Sequence, residues 1–176
     1  MTNTTQKLCV TAMGIALFVV LALCLQVPVF ENYYLCLGYI AMMVFCYHFG
    51  VVSGVAVGVL GVVLYCLLTN GIRGMPGWAT GNLVIGLTVG LSCRFFKKMK
   101  SVVIRNVLIA IAVILSTAVG ILGVKSVTEA ILYAQPILVR VAKNIYAFVA
   151  DVVVLLVSIP ICTYLDSTIQ KLKKEQ

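Results

Sequence analysis

Apolar runs about one bilayer thick succeed one another along the whole chain, and the charged residues fall almost entirely in the gaps between them. A helix needs roughly 20 predominantly apolar residues to cross about 30 Å of hydrocarbon. Residues 8–27 supply the first run, closed by Pro28. A polar break, Glu31-Asn32-Tyr33-Tyr34, precedes a shorter run over 35–49. The third, over 51–68, follows at once, hinged around His48 to Gly50. A Gly/Pro-rich break over 69–78 leads into the fourth run, 79–96, which closes in the basic cluster Arg94, Lys97, Lys98 and Lys100. Residues 102–124 form the fifth, with Arg105 moving its effective start a turn later. An amphipathic segment over 125–143 contains Pro136, and 144–165 is the sixth run before the lysines 171, 173 and 174.

The expected fold class is therefore all-α. The pattern predicts one integral membrane bundle of six transmembrane helices, with residues 1–176 forming a single domain. A tilted or broken helix over the second and third runs would reduce the count to five. A signal peptide is a poorer reading of the first run, which is long, lacks a small-x-small cleavage pattern and precedes no soluble remainder.

Composition fixes the solvent. Hydrophobic residues make up 62% of the chain and the mean hydropathy is +1.14, against roughly half apolar for a soluble domain. With six spans, Lys7, the cluster from Arg94 to Arg105 and the C-terminal lysines share one side. The other side holds only Arg73, Lys125, Arg140 and Lys143. The positive-inside bias then makes both termini cytoplasmic. The net charge of +8 is explained by this bias and by contact with an anionic lipid bilayer, so no nucleic acid is expected as a partner.

Several chemistries are excluded. The stretch from Gly120 to Ser126 has the wrong spacing for a phosphate-binding loop and lies in a span, so any ATP-driven step must come from a partner. His48 is the single histidine, and the seven cysteines are scattered with no C-x-x-C, so no metal site is expected. The acids are Glu31, Glu129, Asp151, Asp166 and Glu175, and just one of them lies deep in a run. Intramembrane hydrolysis lacks its paired groups, and an enzyme is not expected.

Polar residues that can meet a solute gather on the expected outer side. Arg73, Trp78 and Asn82 stand among glycines after the third run. A helix starting near Pro76 would carry Trp78 and Asn82 on one face, an aromatic plate beside an amide. The alternative is an interfacial tryptophan with a polar turn around it. On the sixth run, Arg140, Asn144, Ala147 and Asp151 recur at i, i+4, i+7 and i+11, one face running inward from the outer surface. Asp151 then lies about 16 Å along the helix from Arg140. A carboxylate at that depth must be paired, protonated or facing a wet cavity, which makes it a candidate site residue; a structural hydrogen bond is the bland alternative. Arg140 suits a ligand carboxylate or a lipid phosphate equally. Glu31, Asn32, Tyr33, Tyr34 and Gln135 are candidates for a rim, and Lys143 for a snorkelling anchor.

Small residues mark close helix contacts. Ala12 and Ala16 give an A-x-x-x-A face on the first run, Gly50, Gly54 and Gly58 repeat on the third, and Gly86 and Gly90 on the fourth. Most such stripes serve internal packing, and one can dock a partner.

Six short spans with both ends inside, A-x-x-x-A on the first and a Gly/Pro/Trp-bearing outer loop after the third resemble the substrate-binding S component of energy-coupling factor (ECF) transporters. The stretch from Leu37-Gly38-Tyr39-Ile40 through Gly81-Asn82-Leu83-Val84-Ile85-Gly86 is similar to the riboflavin/hydroxymethylpyrimidine-like branch. So is Val141-Ala142-Lys143-Asn144-Ile145-Tyr146, followed by Pro160 and Asp166. The resemblance implies a multi-pass protein of the bacterial cell membrane that captures a vitamin or related micronutrient from outside. It implies a transmembrane T subunit and two cytoplasmic ATPases as partners, with ATP used only by the ATPases and no cofactor in the chain itself. It also assigns Ala12 and Ala16 to the T-subunit contact, the loop over 70–78 to a gate, and Asn144 to substrate. Together with the residue pattern this gives Arg73, Trp78, Asn82, Arg140, Asn144 and Asp151 as the expected substrate-binding set. Two other readings remain at this stage: an autonomous proton-coupled transporter or channel using Asp151, and a structural membrane protein that binds no small molecule.

Overall fold

The computed structural model describes residues 4–24, 27–30, 33–99 and 101–175. Helix α1 covers Thr4–Cys24, and a small antiparallel hairpin follows, β1 Val27–Phe30 paired with β2 Tyr33–Leu35. Then come α2 Gly38–His48, α3 Val51–Leu68, α4 Met75–Phe96 and α5 Val102–Thr117. A π-helical stretch, Ala118–Lys125, continues α5 into α6 Ser126–Tyr133, and α7 runs over Ile137–Glu175. Five helical units are long and apolar enough to cross a membrane: Thr4–Cys24, Val51–Leu68, Met75–Phe96, Val102–Tyr133 and Ile137–Thr168. Helix α2 is apolar but shorter.

The helical class expected from the pattern is the observed one, with the hairpin as an addition. The second and third runs are separate helices. Phe49 closes α2 on the carbonyl of Phe45, and Gly50 turns the chain at φ +95°, a region L side chains rarely adopt. Helix α4 starts at Met75 with Pro76 in its first turn, where the missing N–H costs nothing.

The expected amphipathic segment over 125–143 does not exist as a unit. Its first half finishes the fifth helical unit, which ends at Ala134 in a left-handed conformation (φ +50°). Pro136 cannot continue that helix, and Ile137 opens α7 instead of residue 144. Pro160 lies inside α7 without ending it.

Close backbone approach explains the glycine stripes. A Cβ on Gly58 would sit 2.6 Å from Met42 Sδ, and one on Gly90 would sit 3.0 Å from Val51 Cα. Gly54 is pressed against Cys46. These stripes pack α3 against α2 and α4 against α3. Phe18, Tyr39, Met42, Ile85, Ile109 and Leu155 fill the fully buried core. Large apolar side chains such as Met13, Val103, Ile131 and Leu138 point outward, as a lipid-facing surface requires.

Candidate functional site

At the end where β1–β2, the α3–α4 turn and the α6–α7 turn meet, a cavity of about 840 Å³ opens between α1, α3, α4, α6 and α7. Its polar lining includes Tyr65, Thr69, Trp78, Lys125, Glu129, Arg140, Asn144 and Asp151. All four sixth-run residues placed on one face, Arg140, Asn144, Ala147 and Asp151, reach this cavity together.

Helix α7 and the α6 turn hold each other through one carboxylate. Asn144 Nδ2 donates to Ser126 Oγ at 3.0 Å and to Glu129 Oε2 at 3.2 Å. The Arg140 guanidinium lies 3.5 Å from the same Oε2 and 5.0 Å over the Tyr133 ring. Gly77 makes room for Glu129: a Cβ there would stand 2.7 Å from its Cγ. Glu129 is only 5% exposed, so it needs these partners.

A second network anchors the aromatic wall. Trp78 Nε1 donates to the Tyr39 hydroxyl at 2.9 Å, and that hydroxyl donates to Asn82 Oδ1 at 2.7 Å. Asn82 Nδ2 in turn donates to the Gly58 carbonyl at 3.0 Å. The Tyr65 ring meets Trp78 edge-on, with centroids 5.6 Å apart. Trp78 and Asn82 do share a helix face, but that face is turned toward α2. Trp78 reaches the cavity wall, whereas Asn82 is fully buried behind it.

Asp151 lies deepest, beside the Tyr39 hydroxyl and within electrostatic reach of Lys125. No direct ion pair joins Lys125 to Asp151; among the described residues the pairs are Lys97–Asp166 and Arg140–Glu129. Burial pushes the Cys36 thiol well above its ordinary value and the Asp151 charge adds to the shift, so this lining cysteine stays protonated.

Arg73 is exposed and stands outside the cavity lining, as do Gln135 and Lys143. Glu31 and Asn32 lie outside the described residues. Ala12 and Ala16 are exposed on α1, while Gly14 between them packs on Phe45. A larger cavity of about 1070 Å³ lies at the opposite end, where Lys7, Arg94, Lys97 and Lys98 line it without any carboxylate. Its chemistry is that of a membrane surface facing anionic headgroups. Convergent polar groups of both signs occur in the smaller cavity.

Sequence reasoning missed Lys125 and Glu129. Their i, i+4 spacing was visible, but α-helical phase carried on from Ile109, Val113 and Thr117 turns positions 124 and 128 inward instead. The wider π turn resets that phase by one residue, and the buried positions become Lys125, Ser126 and Glu129.

A family model for the ECF-type riboflavin transporter S component matches residues 2–167. The chain belongs to this family. It is the S component of an ECF transporter, a transport protein of the multi-pass membrane class and not an enzyme. A comparison with the curated proteins finds no match.

Proposed function

We propose that this S component captures a neutral, flat heteroaromatic vitamin or related micronutrient from outside a bacterial cell. In this reading α2 is a sixth, short pass and both termini are cytoplasmic. Support comes from the basic residues Lys7, Arg94, Lys97, Lys98 and Arg105 gathering at the end opposite the cavity. A T subunit and two cytoplasmic ATPases would supply coupling and ATP hydrolysis, and the chain itself would need no cofactor. Exposed Ala12 and Ala16 offer the T subunit a close-packing face.

The observation that carries the reading is the charge balance of the cavity. Lys125 and Arg140 formally offset Glu129 and Asp151. A neutral ring enters such a site without leaving a net buried charge, whereas a carboxylated vitamin such as pantothenate would add one. The cavity volume lies within the range of small-molecule sites, and Trp78 and Tyr65 give a ring an apolar wall. Riboflavin, the substrate in the family's name, is neutral and flat in this sense.

Native mass spectrometry in mild detergent, on protein from cells grown in rich medium, tests this reading. A retained, stoichiometric vitamin mass is expected. A clean ligand-free spectrum that stays unchanged after a B-vitamin panel would overturn it. Uptake by the protein alone in proteoliposomes, driven by a proton gradient, would replace it with an autonomous carrier.

A further inference from the structure

We propose that the cavity at the basic end of the bundle seats an anionic phospholipid, its phosphate among the cations of α1 and α4 and its acyl chains along the outer face. This site is separate from the polar cavity at the other end and does not depend on which substrate that cavity takes.

Four cations converge on this space of about 1070 Å³: Lys7 near the start of α1, Arg94 in the last turn of α4, and Lys97 and Lys98 just beyond it. No carboxylate lines it among the described residues. Lys97 has an acid partner, Asp166 at 3.7 Å, and its ammonium also lies 4.6 Å over the Tyr47 ring. Lys7, Arg94 and Lys98 are exposed, and no acid among the described residues pairs with them. The first turn of α3, Val51 to Ser53, lines the same cavity, and its cap residue Gly50 makes no side-chain cap hydrogen bond. A helix start adds positive partial charge and N–H donors to the cluster. Thr11 and Ser53, joined at 3.2 Å, tie α1 to α3 at this point.

The apolar surroundings favour a lipid over a free anion. Leu8, Phe49 and Val52 line the same cavity, yet they are 71%, 53% and 84% exposed. At the ends of membrane-spanning helices, cations lie level with the headgroups and apolar side chains meet the acyl chains. The two halves of the cavity therefore match the two halves of an anionic phospholipid, and basic pockets between membrane helices hold headgroups in this way. Each Lys or Arg near a negative headgroup strengthens binding roughly fivefold. A zwitterionic lipid brings its own ammonium into the cluster and gains less.

Native mass spectrometry of the full-length protein in mild detergent tests the site, by titration with phosphatidylglycerol and with phosphatidylcholine of the same acyl chains. Phosphatidylglycerol should bind at least about tenfold tighter. The double variant Lys7→Gln/Arg94→Gln should weaken that binding at least about tenfold. Arg73→Gln/Lys143→Gln removes the same charge from exposed positions at the opposite end, and its binding should stay near wild type. Excess inorganic phosphate should leave the lipid in place. Equal binding of the two lipids by wild-type protein, or equal losses in the two double variants, would overturn the site and leave only a general attraction of positive charge. Displacement by inorganic phosphate would overturn it in favour of a soluble anion. Loss of T-subunit co-purification in Lys7→Gln/Arg94→Gln, without any lipid preference in the wild type, would overturn it in favour of the partner protein. Vitamin retained in the same spectra reports separately on capture at the other cavity, so the two readings fail independently.

Discussion

Asn144 and Glu129 meet across the α6–α7 turn, the amide donating to the carboxylate at 3.2 Å with both side chains almost fully buried. The contact fixes which way the amide faces, because only its nitrogen can approach a carboxylate, and it leaves Oδ1 as an acceptor. Arg140, one turn earlier on α7, bears on the same carboxylate oxygen. Thus a single acid from a helix whose role the sequence obscured orients two residues of the cavity wall.

Glu129→Ala should destabilise the protein. It leaves the buried Asn144 amide with Ser126 alone and strands the Arg140 guanidinium, whose Nε already has no hydrogen-bond partner. A lost hydrogen bond to a charged group costs about 2 kcal/mol. Thermal unfolding in detergent should show a clear drop in midpoint for Glu129→Ala, and an unchanged midpoint would mean that the network carries no stability.

Two glycine-to-alanine changes in the same region should separate. At Gly77 the new methyl would lie 2.7 Å from Glu129 Cγ and 3.0 Å from Oε1, so Glu129 must move and the cavity wall with it. At Gly123 nothing lies within 4 Å, and alanine favours a helix over glycine by about 1 kcal/mol. Ligand affinity should fall at least about tenfold for Gly77→Ala, from loss of a placed polar group, and stay near wild type for Gly123→Ala. Equal affinities in the two variants would disprove the tight Gly77–Glu129 fit.

The spans were legible because burial in lipid demands continuous apolar runs, and the boundaries at Pro76 and Phe96 followed from local rules. The face carrying Arg140, Asn144 and Asp151 was legible for the same reason: α7 is regular there, so spacing converts directly into direction. Lys125 and Glu129 escaped because a π turn has no strong local signature and shifts every later residue around the axis. Tyr39 escaped for another reason. Its hydroxyl role depends on Trp78 and Asn82, 39 and 43 residues away, and no periodicity reports a contact of that range. Arg73 looked like a ligand residue because cations beside glycines suit a pocket mouth, but its side chain remains exposed.

Tyr39→Phe should disturb the aromatic wall without emptying it of bulk. The ring stays, but Trp78 loses its acceptor and Asn82 its donor, each in a buried setting. Leaving such groups unsatisfied costs about 1–3 kcal/mol. A reorganised indole should shift the emission maximum of the single tryptophan and lower the unfolding midpoint together. Emission and midpoint both matching wild type would show that the hydroxyl does not anchor Trp78.

Ala12 and Ala16 make the last prediction, which concerns assembly. Both are exposed on α1, and their small side chains leave a shallow track on which another helix can lie close. Gly14 faces the other way and packs on Phe45, so this track is not needed to hold α1 in the bundle. Enlarging it with Ala12→Leu and Ala16→Leu should therefore leave the unfolding midpoint within about 0.5 kcal/mol of wild type, as for surface sites. Leucine is as apolar as the lipid it displaces, so the loss should fall on helix contact alone. Co-purification with the T subunit should drop sharply, while ligand binding by the isolated S component persists because the cavity lies at the other end of α1 near Ala22. Full retention of the T subunit by the double variant would assign the docking face to a different helix.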